Sequence, residues 1–261
     1  MPASPFAWSL HSIHPEVVVG AGLLAALYAW AARTSPPRPV QAARFLGALA
    51  ALLLALNGPL HDLSDGYLFS AHMVQHLVLT LVVPPLLLTG LPPRMADALL
   101  APVLARRGPA AVARALTRPL PAFSLYAVGL IAWHLPAPYE LALEIHGWHI
   151  VEHLVLIATA VLGWWPIASP SRRLPPLPYA GQLLYLFVFG MPMTVVAAMI
   201  TAAEQVLFPF YAAAPRVVDL APLADQRLGG IIMWVPSGLI PVAAFTIVFF
   251  RWVAAEADEP A

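Results

Sequence analysis

The sequence contains no cysteine and no lysine, and only 10% of its 261 residues are charged. Without cysteine, the chain has no disulfides, no thiolate zinc sites and no iron–sulfur clusters of its own. A soluble domain carries about 25% charged residues, whereas 61% of this sequence is hydrophobic and its mean hydropathy is +0.79. Thirteen arginines balance thirteen acidic residues, so nothing in the charge indicates a nucleic-acid partner. This composition predicts an all-α, polytopic membrane protein.

Long apolar runs predict a transmembrane helical bundle with about seven spans, forming a single domain over residues 1–261. The predicted spans are 17–33, 44–60, 70–90, 121–136, 147–168, 180–202 and 229–252. The fourth span is short for a hydrocarbon core about 30 Å thick. Pro84 and Pro85 in the third span and Pro192 in the sixth are expected to kink their helices, because proline cannot donate a backbone hydrogen bond.

The connections between the spans differ in their arginine content. Those after the first, third and fifth spans contain arginine, those after the second and fourth contain acidic residues and no arginine, and the sixth is mixed. Arginine-rich connections favour the cytoplasmic side. The sequence therefore predicts an extracytoplasmic N-terminus and a cytoplasmic C-terminus.

All nine histidines fall on the extracytoplasmic side of this predicted topology, outside the membrane or in the outer half of a span. They are His11, His14, His61, His72, His76, His134, His146, His149 and His153. Imidazole is the commonest metal ligand and also binds haem iron. A one-sided concentration of histidine in an apolar protein therefore predicts a metal or haem site that faces the periplasm.

The spacing of the histidines supports a shared site. His72 and His76 are four residues apart, as are His149 and His153, so each pair lies on one face of its helix. Facing helices that each present such a pair are a common way to build metal sites in bundles. The candidate metal ligands are His72, His76, His134, His146, His149, His153 and Met73.

Imidazole together with the thioether of Met73, without thiolate, suits copper better than magnesium or calcium. Cu(I) outside the cytoplasm is the favoured reading, and zinc is a further option. Asp62, Glu144 and Glu152 are carboxylates near the histidines, and each is a candidate for orienting a ligating ring through its second nitrogen.

Other readings of the same residues remain open. His11, His14 and His61, each taken alone, are typical of interfacial polar residues. Facing histidines also suit haem b with two axial imidazoles. A proton pathway is a third reading, although the inner half of the bundle lacks ionisable residues to continue one. The fourth is a structural chaperone whose histidines serve packing.

Three blocks of sequence together resemble the CtaG-type cytochrome c oxidase assembly factors. The first is HMVQHL at 72–77 with PPLL at 84–87 and GLP at 90–92. The second is WHLP at 133–136 with YE at 139–140, and the third joins 149–153 to GWWPI at 163–167. The order and separation of the blocks match that family, and the resemblance covers roughly residues 45–252.

The resemblance implies a multi-pass bacterial inner-membrane protein, not an enzyme, that is needed to assemble a haem–copper cytochrome c oxidase. Its implied partners are oxidase subunits, a possible periplasmic copper donor and the lipid bilayer, with no nucleic acid. Combined with the histidines, it gives a working hypothesis in which copper binds at the outer face and is passed to the oxidase.

Overall fold

A computed structural model describes Phe6 and residues 12–257, so His11 lies outside the described residues. Helices make up 81% of the structure, and the described residues contain no strand. The helices are α1 Pro15–Ala32, α2 Pro39–Leu56, α3 Pro59–Gly66, α4 Phe69–Leu77, α5 Val83–Gly90, α6 Pro93–Leu104, α7 Arg107–Leu116, α8 Pro119–Trp133, α9 Pro136–Glu144, α10 His146–Ala168, α11 Tyr179–Phe189, α12 Met191–Ala202, α13 Pro209–Ala213 and α14 Pro222–Ala257. The all-α prediction is confirmed.

Six helical stretches within the described residues are long and apolar enough to cross a membrane. They are α1, α2, the combined stretch Phe69–Gly90, α10, the combined stretch Tyr179–Ala202 and α14. The pair α7 and α8, bent by 73°, makes a seventh if it is counted as one span. Helix α8 alone has 15 residues, about 22 Å at 1.5 Å per residue. The prediction of about seven spans is confirmed, and its shortest member, 121–136, corresponds to α8, which needs α7 to reach the length of a span.

The second apolar run ends earlier than the sequence suggests. Helix α2 stops at Leu56, and α3 begins at Pro59 after Gly58, which has a φ of +72°. This left-handed conformation is one that glycine adopts without steric cost. His61 therefore lies in a separate short helix rather than at the end of a span, and α3 packs against α4.

The stretch Phe69–Gly90 is the most deeply buried of the candidate spans. It consists of α4, a π-helical segment Val78–Val82, and α5. Neither Pro84 nor Pro85 carries a backbone N–H, so the Thr80 carbonyl has no donor four or five residues ahead. The indole of Trp164 on α10 supplies one, with Nε1 2.9 Å from the Thr80 oxygen. The irregular segment is thus tied to the helix that carries the second histidine pair.

Two glycines bring α14 close to its neighbours. A Cβ on Gly229 would lie 2.4 Å from the Phe69 ring, and one on Gly230 would lie 2.2 Å from Thr201 Oγ1. Small residues allow this kind of close helix packing in membranes. At the same level, the buried carboxylate of Asp225 accepts hydrogen bonds from the backbone N–H groups of Phe69 and Ser70, at 2.8 and 3.2 Å. These bonds cap α4 and fix the start of the helix that carries His72 and His76.

We expect Trp164→Phe to lower the free energy of unfolding by about 1–3 kcal/mol, because it leaves the Thr80 carbonyl without a donor. Thermal unfolding of the purified protein in detergent measures this change. Trp30→Phe is the matched control, since Trp30 is 63% exposed and its replacement should change stability by no more than about 0.5 kcal/mol. Equal melting temperatures for the two variants would contradict the role assigned to the indole.

Candidate metal centre

Helices α4 and α10 bring four buried side chains together at one end of the bundle. His72, His76, Glu152 and His153 each offer a ligand atom, and these atoms all lie within 4.8 Å of one another. The four side chains are between 0% and 7% exposed. The i, i+4 spacing on α4 and the adjacent Glu152 and His153 on α10 direct all four toward the space between the two helices.

Hydrogen bonds determine which nitrogen of His72 carries the proton. The Tyr211 hydroxyl donates to the Ser64 carbonyl, so its oxygen can accept from the His72 ring. His72 Nδ1 lies 2.8 Å from that oxygen and is therefore the protonated nitrogen. Burial holds the pKa of Tyr211 well above its usual range, so the hydroxyl keeps the proton that it donates. The lone pair of neutral His72 is then on Nε2.

The same reasoning applies to His76, starting from the end of α8. His134 Nδ1 lies 2.7 Å from the carbonyl oxygen of Leu130 and must donate to it. His134 Nε2 is therefore an acceptor, and His76 Nδ1, 3.4 Å away, donates to it. The lone pair of neutral His76 is then also on Nε2. Each ring is oriented through its second nitrogen, as is usual for histidines that bind metals.

The two lone pairs face each other. His72 Nε2 and His76 Nε2 are 2.8 Å apart, and neither neutral ring has a proton to place between them. Such a pair repels unless a cation, either a proton or a metal ion, lies between or beside the two nitrogens. Tetrahedral coordination at 2.0–2.1 Å separates two nitrogens by about 3.3 Å, so only a small adjustment is needed to accept an ion.

Glu152 and His153 complete the cluster with unpartnered atoms. Both carboxylate oxygens of Glu152 and Nε2 of His153 are buried and form no hydrogen bond with the described residues. Glu152 Oε1 lies 3.5 Å from His76 Nε2, within ion-pair range if that ring is protonated. An uncompensated carboxylate in a low-dielectric interior is costly. The chemistry of these four groups fits a bound cation.

His149 lies beside this cluster. Its Nδ1 is 2.9 Å from Asp65 Oδ1, and its buried Nε2 has no hydrogen-bond partner among the described residues. The ring centroid of His149 is 4.3 Å from that of His153 and 5.5 Å from that of His72. A carboxylate that orients an imidazole in this way is common next to metal ligands.

His61 is held on the other side of His149, with 5.6 Å between their ring centroids. The amide of Gln75 donates to His61 Nδ1 at 2.8 Å and lies 2.8 Å from the Ala55 carbonyl oxygen. Burial lowers the pKa of His61 to about 4, so the ring is neutral at pH 7, with Nδ1 as the acceptor and the proton on Nε2.

Two of the predicted site residues lie outside the four-residue cluster in different ways. Met73 is buried but packs toward α14, where its Cγ would lie 3.1 Å from a Cβ on Gly229. His146 is 62% exposed and lies at the rim with Glu16, 3.6 Å between His146 Nε2 and Glu16 Oε1.

The carboxylates and the orienting groups differ from those suggested by sequence proximity. Glu152 lies among the ligand atoms themselves. Asp65, rather than Asp62 or Glu144, holds the ring of His149. Sequence reasoning missed Asp65 and Tyr211. The i, i+3, i+4 spacing of His149, Glu152 and His153 indicates that Glu152 shares a helix face with the histidines. No such pattern points to Tyr211, because it is 139 residues from His72.

The fold and this cluster define a class of protein, namely polytopic helical membrane proteins with a buried imidazole–carboxylate centre. A family model described as the cytochrome c oxidase caa3 assembly factor matches residues 22–255. The chain therefore belongs to the cytochrome c oxidase caa3 assembly factor family, which confirms the resemblance seen in its motifs.

Curated relatives are more distant and longer. Uncharacterized proteins of Mycobacterium bovis and Mycobacterium tuberculosis are each 26% identical to this chain over 207 residues. The match covers 71% of this chain and 30% of each relative, so the chain spans less than a third of their length. No solved structure matches the chain.

We expect Glu152→Gln to stabilise the protein in the presence of a chelator, because it removes a buried carboxyl group whose charged form no described residue neutralises fully. The gain in free energy of unfolding should be about 1–4 kcal/mol, measured by thermal unfolding in detergent at pH 7.5. Glu144→Gln, at an exposed position near the same end of the bundle, should leave the melting temperature unchanged. A lower melting temperature for Glu152→Gln would contradict this account of the carboxylate.

Proposed function

We propose that this assembly factor binds copper in the cluster of His72, His76, Glu152 and His153 and passes it to a subunit of a haem–copper cytochrome c oxidase. The single observation that carries the proposal is the pair of imidazole nitrogens, 2.8 Å apart with facing lone pairs, beside a buried carboxyl group that forms no hydrogen bond with the described residues. Membership of the family indicates that the protein serves a cytochrome c oxidase, and the donor atoms of the cluster indicate that it carries a metal ion. The protein acts as a carrier and not as an enzyme.

A purely structural role explains this cluster poorly. Side chains that serve packing are hydrogen-bonded when they are polar and buried. Here Glu152, His149 and His153 all retain buried atoms without partners among the described residues, while the opposite nitrogens of His72 and His149 each lie within hydrogen-bond distance of an oxygen. The ring nitrogens that face away from the cluster are held by hydrogen bonds, and those that face into it are free. This is the arrangement of a site that binds a cation between the rings.

The donor types indicate which ion. Three imidazoles and one carboxylate suit copper and zinc, and they are a poor match for magnesium or calcium, which prefer oxygen ligands. Copper is the metal that a haem–copper oxidase requires, so we propose copper as the cargo. Cu(I) is favoured in the sequence by the thioether of Met73, whose side chain packs against α14. The oxidation state is therefore part of the test.

The place of the cluster suits transfer in the bacterial inner membrane. Arginine-rich connections lie at the opposite end of the bundle from the histidines in the topology predicted from sequence, so we propose that the cluster faces the periplasm. Copper from a periplasmic donor would then reach it without crossing the bilayer. Oxidase subunits in the same membrane are the proposed recipients.

Haem b is a second candidate, favoured by one observation. An apolar cavity of about 560 Å³ borders His61, His149 and His153, and it is lined by aliphatic side chains of α1, α2, α5 and α10. Against haem, the nitrogens of His72 and His76 face each other directly at 2.8 Å. A reduced-minus-oxidised spectrum of the purified protein separates the two candidates, since haem b gives a Soret band and copper does not.

Copper binding is tested with the double variant His72→Gln, His76→Gln. We expect the purified variant to lose at least about 10-fold in copper affinity and to give little oxidase activity when it replaces the native protein in cells that depend on it. Metal analysis after dialysis measures the copper content, and electron paramagnetic resonance identifies Cu(II), while Cu(I) is silent.

Glu152→Gln provides the second variant, because it should lose copper affinity while remaining folded. Glu144→Gln is the matched control and should bind copper as the native protein does. Native copper content in both the double variant and Glu152→Gln, together with native oxidase activity, would overturn the proposal.

A further inference from the structure

A second group of potential ligands lies at the rim of the same cavity. His14, Glu16 and His146 each offer a ligand atom, and these atoms lie within 4.8 Å of one another. His14 Nδ1 and His146 Nε2 both approach Glu16 Oε1, at 3.3 and 3.6 Å. Unlike the buried cluster, this group is accessible, with His146 62% exposed and Glu16 38% exposed.

The rim group contains more imidazole rings than an ion pair with Glu16 needs. One protonated imidazole neutralises one carboxylate, whereas here two imidazoles, one just before α1 and one at the start of α10, approach the same oxygen. His14 Nε2 is buried and forms no hydrogen bond with the described residues. The backbone N–H of His14 donates to Asn57 Oδ1 at 2.8 Å, so the start of α1 is anchored to the end of α2. The position of His14 is therefore fixed, and its free nitrogen is available.

Histidine rings connect the rim with the buried cluster. The centroid of His14 is 4.2 Å from that of His61, which is 5.6 Å from His149 and 6.4 Å from His153. His153 in turn is 5.8 Å from His76. Side-chain exposure falls along this line, from 62% at His146 and 17% at His14 to 1% at His76. Each step is short enough for an ion to exchange one imidazole for the next.

We propose that His14, Glu16 and His146 form a second metal site, which captures a divalent copper ion at the surface and delivers it through His61 and His149 to the buried cluster. This inference rests on the proposed function, since it names the route by which that cluster is filled. Metal and charge are conserved along the route, because each step replaces one ligand by another. At His61 the ion takes the place of the Gln75 amide hydrogen at Nδ1, and the proton stays on Nε2.

The ligands of the rim site match a capture role. Two imidazoles and one carboxylate suit a divalent ion of intermediate softness, such as Cu(II) or Zn(II). Three protein ligands leave a coordination position open to water, which favours rapid exchange. The buried cluster offers a fourth protein ligand and excludes water, so the ion should be held more tightly there than at the rim.

The test uses full-length protein in detergent, with Cu(II) alone as the probe. The native protein should bind two Cu(II) ions per chain, with distinct electron paramagnetic resonance signals for the two donor sets. His14→Gln with His146→Gln should bind one ion with native affinity at the buried cluster, loaded about 10-fold more slowly at sub-stoichiometric copper, since the rim no longer raises the local copper concentration. Glu144→Gln, two residues before His146, is the matched control and should load at the native rate.

The variant His72→Gln, His76→Gln separates this inference from the proposed function. It should keep the rim ion and its signal while losing the buried one. Loading at the native rate in the rim variant would overturn the delivery route and leave the proposed function standing. A different outcome is that the native protein binds a single ion. If the rim variant still binds that ion, there is no rim site. If the rim variant loses it, the rim site is supported and the buried site is overturned.

Discussion

The arrangement of the site depends on hydrogen bonds that the imidazoles make on the side away from the cluster. The carbonyls of Ser64, through Tyr211, and of Leu130, through His134, fix the protons on His72 and His76. A carbonyl oxygen can only accept, so the tautomer at each end is determined by chemistry and not by chance. Both lone pairs then point inward to the same place. In an apolar surrounding, where electrostatic interactions are weakly screened, this arrangement favours a cation strongly.

The irregular features of the fold hold these histidine rings in position. The carboxylate of Asp225 caps α4 just before His72, and the π-helical segment begins directly after α4 ends at Leu77. Proline at 84 and 85 would leave a bare carbonyl in the membrane, and the bond from Trp164 turns that defect into a link between the two ligand-bearing helices. The helix that carries His72 and His76 is thus fixed at its start, and the irregular segment that follows it is fixed to α10.

The sequence predicted the class of fold and the concentration of histidines well, because hydropathy and i, i+4 spacing are local properties. It placed His72, His76, His149 and His153 at one end of the bundle, and the structure brings their rings together. What it missed depends on distant parts of the chain. Tyr211 reaches His72 from another helix. The break at Gly58 puts His61 in its own short helix. It follows from the positive φ of Gly58, which the hydropathy of the surrounding sequence does not reveal.

A carrier must satisfy two requirements that a resident metal site does not, since it must admit its ion from outside and also give it up. A closed centre of four protein ligands alone would retain copper, and an exposed one would fail to select it. Here the buried cluster adjoins an apolar cavity whose rim carries further imidazoles, and each histidine of the cluster has a neighbouring imidazole outside it. His149 and His61 stand in that intermediate position, each oriented through one nitrogen by Asp65 or Gln75. The proposed exchange along this series would need no large movement of helices, because the rings are already close together.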